Sequence, residues 1–402
     1  MPYATITNRG AKKVRNGHLW CYRGDIRQID AVGGDVVTVV DEAKNFVGKA
    51  FYSDSSEIAL RFFTTKDEEI TEEFWFKKIS NAIKLRNSLF DSLRGRDGEE
   101  SRDIEVCTNA LRLVNAEGDL LPSLIADFYD GAIVIQTLSQ GTEKLKHLFA
   151  DILREILSAE LVLERNDSKV RSIENLPLQK SVIFGKLSSD ERIIKQNGIK
   201  FIVSLMEGQK TGAFLDQREN YLSARRFAKG IVLDCFTFAG GFALNLAKNC
   251  DQVIAVDISD KAINLANRNA KLNQISNVSF QVGNVFDFLR EQEKAGKRYD
   301  VVILDPPAFA KSRQSLKGAI AGYKEINLRA MKILNHNGIL ITCSCSHHFT
   351  EELFLETLIM ASRDAKRRVH LIEKRFQSSD HPILLPEAKK LAEKTGALIN
   401  VG

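Results

Sequence analysis

The stretch IVLDCFTFAGGFALNLAKNCDQVIAVDISDKAINLANRNAKL, residues 231–272, decides the fold. Residues 231–233 and 253–256 are short and apolar, as expected of strands, while residues 242–248 and 261–272 have helical spacing. Strand, helix, strand and helix in turn predict a parallel sheet that is covered by helices on both faces.

The same alternation begins near residue 199 and continues toward the C-terminus. Further strands are predicted at residues 278–282, 301–304 and 339–342, and they are apolar enough to be buried on both faces. Helices are predicted at residues 323–334 and 351–361. We therefore expect a doubly wound α/β domain over residues 198–402.

The N-terminal part, residues 1–70, has a different pattern. The runs VVTVV, FVGKAFY and IALRFF within residues 36–63 are short, β-prone and separated by turns, which is typical of a small barrel or sandwich. Residues 1–24 contain five basic residues and no acidic one. The candidate RNA contacts in this segment are Lys12, Lys13, Arg15, Trp20 and Arg23. Cations neutralise phosphates and rings stack on bases, whereas the alternative interpretation is a solvated loop.

Residues 71–197 form the third predicted part, a small α+β domain. A helix is predicted at residues 72–93 and another at 143–157. The predicted strands are residues 111–114, 124–128, 132–137, 161–164 and 182–184.

Composition bounds the function without choosing it. The 402 residues are 44% hydrophobic and 27% charged, which indicates a folded protein, and the net charge of +5 permits nucleic-acid binding without requiring it. No apolar run approaches the length of a membrane span, and the N-terminus lacks a signal peptide, so we expect a cytoplasmic protein without membrane contact. Its six cysteines are expected to be free thiols, and no Cys-x-x-Cys pair suggests a metal site.

Polar residues follow the first two strands of the α/β domain. Asp234 ends the first strand and precedes Gly240 and Gly241, and Asp257 ends the second. Because the loop is not G-x-G-x-x-G, an adenosine-type ligand without a pyrophosphate fits better than a dinucleotide. Ordinary turn chemistry is the alternative for each residue taken singly.

The strand at residues 301–304 is followed by Asp305-Pro306-Pro307. Two prolines make a rigid turn, and a carboxylate there can hydrogen-bond the amino and ring nitrogens of a base. The next segment, KSRQSLK, contains Lys311 and Arg313, which are candidates for contact with RNA phosphate; simple exposed charge is the alternative.

Two cysteines follow the strand at residues 339–342. A thiol at this edge of the sheet, beside Asp305, can act as a nucleophile, although an isolated cysteine is more often inert packing. Cys343 and Cys345 lie in a small polar segment next to the proposed ligand site, which favours function.

Four motifs in order carry a resemblance to a known family. GQKTGAFLDQREN (208–220), DCFTFAGGFAL (234–244), LDPPAFAKS (304–312) and TCSCSHH (342–348) resemble the class I S-adenosylmethionine-dependent 23S ribosomal RNA cytosine-C5 methyltransferases of bacteria. GHLWCYRGDI (17–26) resembles the start of that family's PUA domain, an RNA-binding β-barrel. The resemblance covers nearly the whole chain. It implies a PUA domain, a small middle domain and a Rossmann-like catalytic domain.

The resemblance also implies site residues. The nucleophile would be Cys345 and the acid Asp305, while Cys343 occupies a position that the family does not require. The implied S-adenosyl-L-methionine contacts are Phe214, Asp234, Phe236, Gly240, Gly241, Asp257, Ile258, Asn284, Val285, Asp305 and Pro306. Two departures stand out. Asn284 occupies a position where the family often has Asp, and the resemblance ends near residue 385, which leaves the last strand unassigned.

The implied activity is transfer of a methyl group to C5 of a cytosine through a covalent cysteine–C6 adduct. The implied partner is ribosomal RNA or a large-subunit assembly intermediate, and the α/β surface leaves room for a homodimer. Two alternatives stay open. An enzyme that methylates an exocyclic amine such as guanine N2 usually has an aromatic residue directly after the prolines, where Ala308 stands here. A non-catalytic RNA-binding protein of the same fold is the other.

Overall fold

The computed structural model describes residues 2–94, 108–310, 313–346, 348–385 and 396–401. The chain divides into two compact units. The first contains Met1–Ile194, Val203–Leu215 and Ser379–Lys389, and the second contains Lys195–Ile202, Asp216–Ser378 and Lys390–Gly402. Within the described ranges, every helix is too short or too polar to cross a membrane.

A six-stranded sheet opens the first unit. Its strands are β1 (Tyr3–Ile6), β2 (Trp20–Tyr22), β3 (Ile26–Asp30), β4 (Val36–Val40), β5 (Phe46–Tyr52) and β6 (Ile58–Thr64), in the order β2-β6-β5-β4-β1-β3. Val37 and Val39 alternate into the core while their neighbours are half-exposed, which is the period-two pattern of a strand with one buried face. The predicted small β domain is confirmed. The basic segment also contains a helix that the sequence did not predict, α1 (Asn8–Arg15).

A five-stranded sheet with helices completes the first unit. Its elements are α2 (Glu72–Arg94), β7 (Ala110–Asn115), β8 (Leu124–Tyr129), β9 (Ala132–Thr137), α3 (Gln140–Lys144), α4 (Lys146–Leu157), β10 (Leu161–Asn166) and β11 (Gln179–Phe184). The single helix predicted at 143–157 is two helices, because Leu145 interrupts the helical hydrogen bonding. Trp75 of α2 stacks on Phe51 of β5 and meets Phe149 of α4 edge-on, so the two sheets share one core.

A hairpin that the sequence analysis missed connects the two parts of the chain. Strands β12 (Glu191–Gln196) and β13 (Ile199–Ser204) pair across the turn Asn197-Gly198. Both turn residues have positive φ, 53° and 78°, as a two-residue hairpin turn with its right-handed strand twist requires. The domain boundary predicted at 197/198 falls within this turn.

The second unit is a seven-stranded sheet with helices on both faces. Its strands are β14 (Ile231–Cys235), β15 (Gln252–Asp257), β16 (Val278–Val282), β17 (Tyr299–Leu304), β18 (Leu334–Cys343), β19 (Val369–Arg375) and β20 (Gly396–Val401). Their order is β16-β15-β14-β17-β18-β20-β19. Strands β14 to β18 run parallel, and β20 pairs antiparallel with both β18 and β19. The predicted Rossmann-like fold is confirmed.

The helices of this unit are α5 (Arg218–Ala224), α6 (Gly241–Leu246), α7 (Asp260–Leu272), α8 (Val285–Lys294), α9 (Leu316–Ile333) and α10 (Glu351–Ala365). The side chains of Ser259, Asn284 and Thr350 cap α7, α8 and α10 by accepting from backbone N–H groups of the first turn. Helix α9 begins at Leu316, well before the predicted residue 323. The sequence did not reveal its first turns because they are rich in small residues and have little apolar periodicity.

The strand order reverses between β14 and β17, since the chain runs outward to β16 and then returns. In an open parallel sheet, ligands bind beyond the carboxyl ends of the strands at such a switch point. The loops after β14, β15, β17 and β18 all lie at that edge.

Candidate active site

The loop after β14 has an unusual backbone. Phe236, Phe238 and Gly240 all have positive φ, at 64°, 49° and 87°. For the two phenylalanines this left-handed conformation costs about 1 kcal/mol each or more, and such strain is common at ligand sites. The loop is held by neighbours: the Phe238 N–H donates to Asp257 Oδ2 at 3.0 Å, and the Thr237 N–H donates to the Val256 carbonyl at 3.1 Å.

Asp234 lies beneath this loop and is only 1% exposed. Its Oδ2 accepts from Thr237 Oγ1 at 2.6 Å and from the Ala243 N–H at 3.0 Å. Its Oδ1 is buried and has no hydrogen-bond partner among the described residues. Burial above all raises the pKa of Asp234 to about 7, with the nearby charges of Asp305 and Asp257 acting in the same direction. An unpaired buried acceptor is costly, so this oxygen suits a ligand that brings a donor.

The two glycines of the loop differ in what they provide. Gly240 takes the left-handed conformation that ends the loop and caps α6. At Gly241, a Cβ would lie 2.6 Å from the ring and hydroxyl oxygen of Tyr221, so this glycine allows α5 and α6 to pack closely. Gly241 was predicted as a cofactor contact, and the structure gives it this packing partner.

Four more predicted cofactor residues lie at the end of β15 or in the segments that follow β15 and β16. Asp257 Oδ1 accepts from the Ser259 N–H at 2.9 Å, which fixes the carboxylate at the end of β15. Ile258 is 70% exposed, which leaves its side chain accessible to a flat apolar ligand. Asn284 Oδ1 caps α8 through the Phe286 N–H at 2.9 Å, and Val285 is buried.

The loops after β17 and β18 meet. Gln217 Nε2 donates to both carboxylate oxygens of Asp305, at 3.2 and 3.1 Å. The Cys345 thiol donates to the carbonyl of Pro306, with 3.6 Å between sulfur and oxygen. The structure therefore brings the predicted acid and the predicted nucleophile together across the edge of the sheet.

The two cysteines of this segment differ sharply. Cys345 is exposed, whereas Cys343 ends β18 and is 5% exposed. Burial, together with the charge of Asp305, raises the pKa of the Cys343 thiol well above its usual value. Only Cys345 has the access that a nucleophile needs.

The serines on either side of Cys345 are both buried and share one partner. Ser344 Oγ donates to the Tyr323 hydroxyl at 3.1 Å, and Ser346 Oγ lies 3.0 Å from the same hydroxyl. Ser346 Oγ also accepts from the Ala310 N–H at 3.2 Å, which ties the loop after β17 to the loop after β18. Sequence reasoning missed Tyr323, and its only signal was an aromatic residue on a predicted helix.

Phe214, the other predicted cofactor contact, belongs to the first unit. The Lys210 ammonium lies 4.9 Å from the centre of its ring. The preceding Thr211 hydroxyl donates to the buried Asp127 carboxylate at 2.5 Å and lies 2.8 Å from the Tyr129 hydroxyl. These contacts fix the loop that carries Phe214.

Most of the predicted RNA contacts of the first unit have internal partners. Lys13 pairs with Asp25 and Arg15 with Asp41.

Arg23 donates to the carbonyls of Ser53 and Ser56, Trp20 Nε1 donates to Glu117, and Lys12 is exposed. Of the predicted contacts near the active site, Lys311 lies outside the described residues, and Arg313 begins a short 3-10 helix, Arg313–Ser315.

Comparison with protein families gives two matches. Residues 4–65 match a PUA-like domain, and residues 227–394 match a methyltransferase domain. The first match covers most of the six-stranded sheet, and the second covers strands β14 to β19, at whose edge Asp234, Asp305 and Cys345 lie.

Similar proteins extend over almost the whole chain. "Ribosomal RNA large subunit methyltransferase I" of Tolumonas auensis is 37% identical over 383 residues, which is 93% of each chain. The protein of the same name from Yersinia pseudotuberculosis is 33% identical over 380 residues, again 93% of each.

Two solved structures share the fold over the full length of both chains. One, assigned as a methyltransferase and solved in complex with SAH, has a TM-score of 0.83 at 19% identity. The other, from Streptococcus mutans and assigned as a SAM-dependent methyltransferase, has a TM-score of 0.81 at 20% identity. The predicted methyl donor class, S-adenosyl-L-methionine, is confirmed together with the methyltransferase domain. The chain belongs to the family of ribosomal RNA large subunit methyltransferase I.

Proposed function

We propose that this protein methylates C5 of a cytosine in the RNA of the large ribosomal subunit. The observation that carries the proposal is the exposed Cys345 thiol, which lies against the carbonyl of Pro306, the residue that follows Asp305. Methyl transfer to an amine needs no thiol, whereas transfer to a pyrimidine ring carbon does.

Carbon C5 of cytosine is a poor nucleophile on its own. When the Cys345 thiol gives up its proton and its sulfur forms a bond to C6, the ring electrons shift so that C4 and C5 share a double bond, and N3 takes up a proton from solvent. C5 is then the electron-rich carbon of an enamine. After methylation, loss of the C5 proton forms the C5–C6 double bond and expels the thiolate, and N3 releases the proton that it took up.

Asp305 supports this adduct. A carboxylate beside the base accepts hydrogen bonds from the exocyclic amine and from the newly protonated N3. The free base offers the carboxylate only the amine, with an acceptor at N3, whereas the adduct offers both donors, so Asp305 stabilises the adduct more than the free base.

The residues at the edge of the sheet fit the cofactor. Asp234 has a buried oxygen that needs a donor, and Asp257 presents a fixed, half-exposed carboxylate near the exposed Ile258. An ammonium group and ribose hydroxyls are suitable donors for the two carboxylates, and an adenine ring is a suitable partner for Ile258. S-adenosyl-L-methionine, when bound, supplies the methyl group that the activated carbon receives.

Two further findings support an RNA substrate. The relatives are named for methylation of large-subunit ribosomal RNA, and the N-terminal sheet matches a PUA-like domain. A ring carbon of a stacked base is out of reach, so the target nucleotide must be unstacked, as single-stranded RNA loops allow.

The test is to incubate the protein with labelled S-adenosylmethionine and unmodified large-subunit RNA, either naked or in a subunit particle. After digestion to nucleosides, we expect the label in 5-methylcytidine. A labelled methylguanosine would contradict the proposal in favour of amine methylation. Absence of label from both the RNA and the particle, in a protein that binds RNA, would favour a non-catalytic binding protein.

A further inference from the structure

Gln217 lies next to Asp305 and takes no part in the steps of the proposed reaction described above. Its amide nitrogen donates to both carboxylate oxygens, at 3.2 and 3.1 Å, although the two residues are far apart in sequence. A donor shared by both oxygens favours the ionised carboxylate over the protonated acid, which has fewer acceptor sites for it.

The orientation of this amide is fixed from behind. Asn220 Nδ2 donates to Gln217 Oε1 at 2.6 Å and to the Phe376 carbonyl at 3.1 Å. Asn220 Oδ1 in turn accepts from Arg375 Nε at 3.0 Å. Because Oε1 is held as an acceptor, the Nε2 donor is the end that faces Asp305.

Several described groups near Asp305 are acids, whose negative charge would oppose that of its carboxylate. The Asp305 charge helps to raise the pKa values of Asp234 on β14, of Tyr221 on α5 and of Tyr323 on α9. It does the same for Cys343 at the end of β18, and Cys345 lies beside the Asp305 loop. A second carboxyl and several weak acids thus face Asp305, and Gln217 offers the contrary influence.

The ionic form of Asp305 decides which base it accepts. An ionised carboxylate only accepts hydrogen bonds, and the cysteine adduct of cytosine presents two donors, N3–H and the C4 amine. The corresponding adduct of uracil carries negative charge on O4, which would face the carboxylate. A protonated Asp305 could instead donate to O4 and serve either base.

We infer that Gln217 is a specificity-determining positioning residue, which holds Asp305 as an acceptor and thereby favours cytosine over uracil. The inference rests on the proposed function, methylation at C5 of cytosine.

The experiment uses the shortest RNA that the protein methylates, made with either cytidine or uridine at the methylated position. Variants Gln217→Leu and Gln217→Glu are compared with wild type in kcat/KM for each RNA across pH 5 to 9. Gln292→Leu is the matched control. The Gln292 side chain is half-buried in the same unit and accepts a hydrogen bond from the Tyr299 hydroxyl, with 2.8 Å between the two oxygens. Neither residue is part of the candidate site.

For Gln217→Leu, we expect kcat/KM on the cytidine RNA to fall about tenfold at neutral pH, as for loss of a hydrogen bond to a charged group. The acid limb of its pH profile moves to higher pH, and the preference for cytidine over uridine falls. Gln217→Glu, which places a carboxyl against Asp305, moves the limb further because one proton is shared between the two acids. Gln292→Leu keeps the wild-type limb and preference.

An unchanged acid limb and an unchanged cytidine preference in both Gln217 variants would overturn the inference while leaving the proposed function intact. Failure of the wild-type protein to form 5-methylcytidine would instead overturn the proposed function itself. Thermal unfolding checks the fold of each variant, and the nearly isosteric Gln217→Glu decides the inference by itself if Gln217→Leu does not fold.

Discussion

The basic N-terminal segment and the edge of the methyltransferase sheet both contain polar residues that the sequence predicts to bind a ligand. The two regions differ in whether those residues already have partners within the protein. In the N-terminal segment, Lys13 and Arg15 are paired with carboxylates, and Arg23 is bound to backbone carbonyls. At the edge of the sheet, Asp234 keeps a buried oxygen without a partner among the described residues, and Cys345 is exposed.

The difference separates polar residues that build the fold from those that are ready for a ligand. A paired charge has already gained most of the interaction that its surroundings offer, and a new partner must compete with the old one. An unpaired buried oxygen and a strained loop raise the free energy of the protein, which binding of the right ligand lowers. The contrast can be tested residue by residue.

The largest effect is expected at the two cysteines. Cys345→Ala removes the exposed nucleophile and should reduce methyl transfer to the background rate, while Cys343→Ala keeps activity and loses about 1 kcal/mol of stability from the core. Labelled nucleosides from both variants, with unfolding curves, check this. Full activity in Cys345→Ala would remove the thiol mechanism and the contrast with it.

A smaller effect is expected at the hydroxyl that holds the cysteine segment. Tyr323→Phe deletes the group that Ser344 and Ser346 share, and should lower kcat about tenfold with little change in KM for RNA, because the thiol is less well positioned. Phe349→Leu, in the same aromatic cluster, is the packing control. Equal kinetic losses in both variants would indicate a loss of packing alone.

The third prediction concerns the pH dependence of stability. Burial raises the pKa of Asp234 to about 7, so the folded protein keeps a proton that the unfolded chain releases near pH 4. Stability contributed by this proton is present at low pH and lost as the pH rises through about 7. Relative to Asp234→Asn, the free energy of unfolding of the wild-type protein should fall by up to about 1.4 kcal/mol per pH unit between about pH 4 and pH 7. Denaturant unfolding from pH 4 to 8 measures it, and parallel curves for the two proteins would contradict it.

The smallest effect is expected in the basic segment. Lys12→Ala should weaken RNA binding modestly and reduce the salt dependence of log Kd by about one, as for loss of one phosphate contact. Lys13→Ala should do less, because its ammonium already faces Asp25 at 3.1 Å. Binding titrations at several salt concentrations compare the two, and a larger effect at Lys13 would show that the internal ion pair gives way to RNA.

The alternation of strands and helices in the second unit was predictable because each element has its own local signal. The strands at residues 253–256 and 301–304 are apolar throughout, and α7 has clear helical spacing. Helix α1 was missed because only Gly10, Ala11 and Val14 of its eight residues are buried. The hairpin of β12 and β13 had a signal, the pair Asn197-Gly198, that went unused.

The residues of the candidate site that follow directly after a strand, within a motif, could be predicted from the sequence. Asp305 and Cys345 follow adjacent strands, and their proximity follows from parallel pairing of β17 and β18. Gln217 and Tyr323 were not assigned roles, since their contacts are made across the fold and leave no spacing in the sequence. The difference in burial between Cys343 and Cys345 likewise depends on where β18 ends.

The position of β20 has a consequence for the way the chain is made. Strand β18 has β17 on one side and β20 on the other, and β20 is the last described strand. A chain that leaves the ribosome N-terminus first therefore exposes all four motifs before the strand that leads to Cys345 gains its second neighbour. Translation halted just before residue 396 would release a protein with every candidate catalytic residue and with one edge of that strand unpaired. The sheet beneath the site is therefore completed late, only after β20 has been synthesised, although β20 contains none of the candidate site residues.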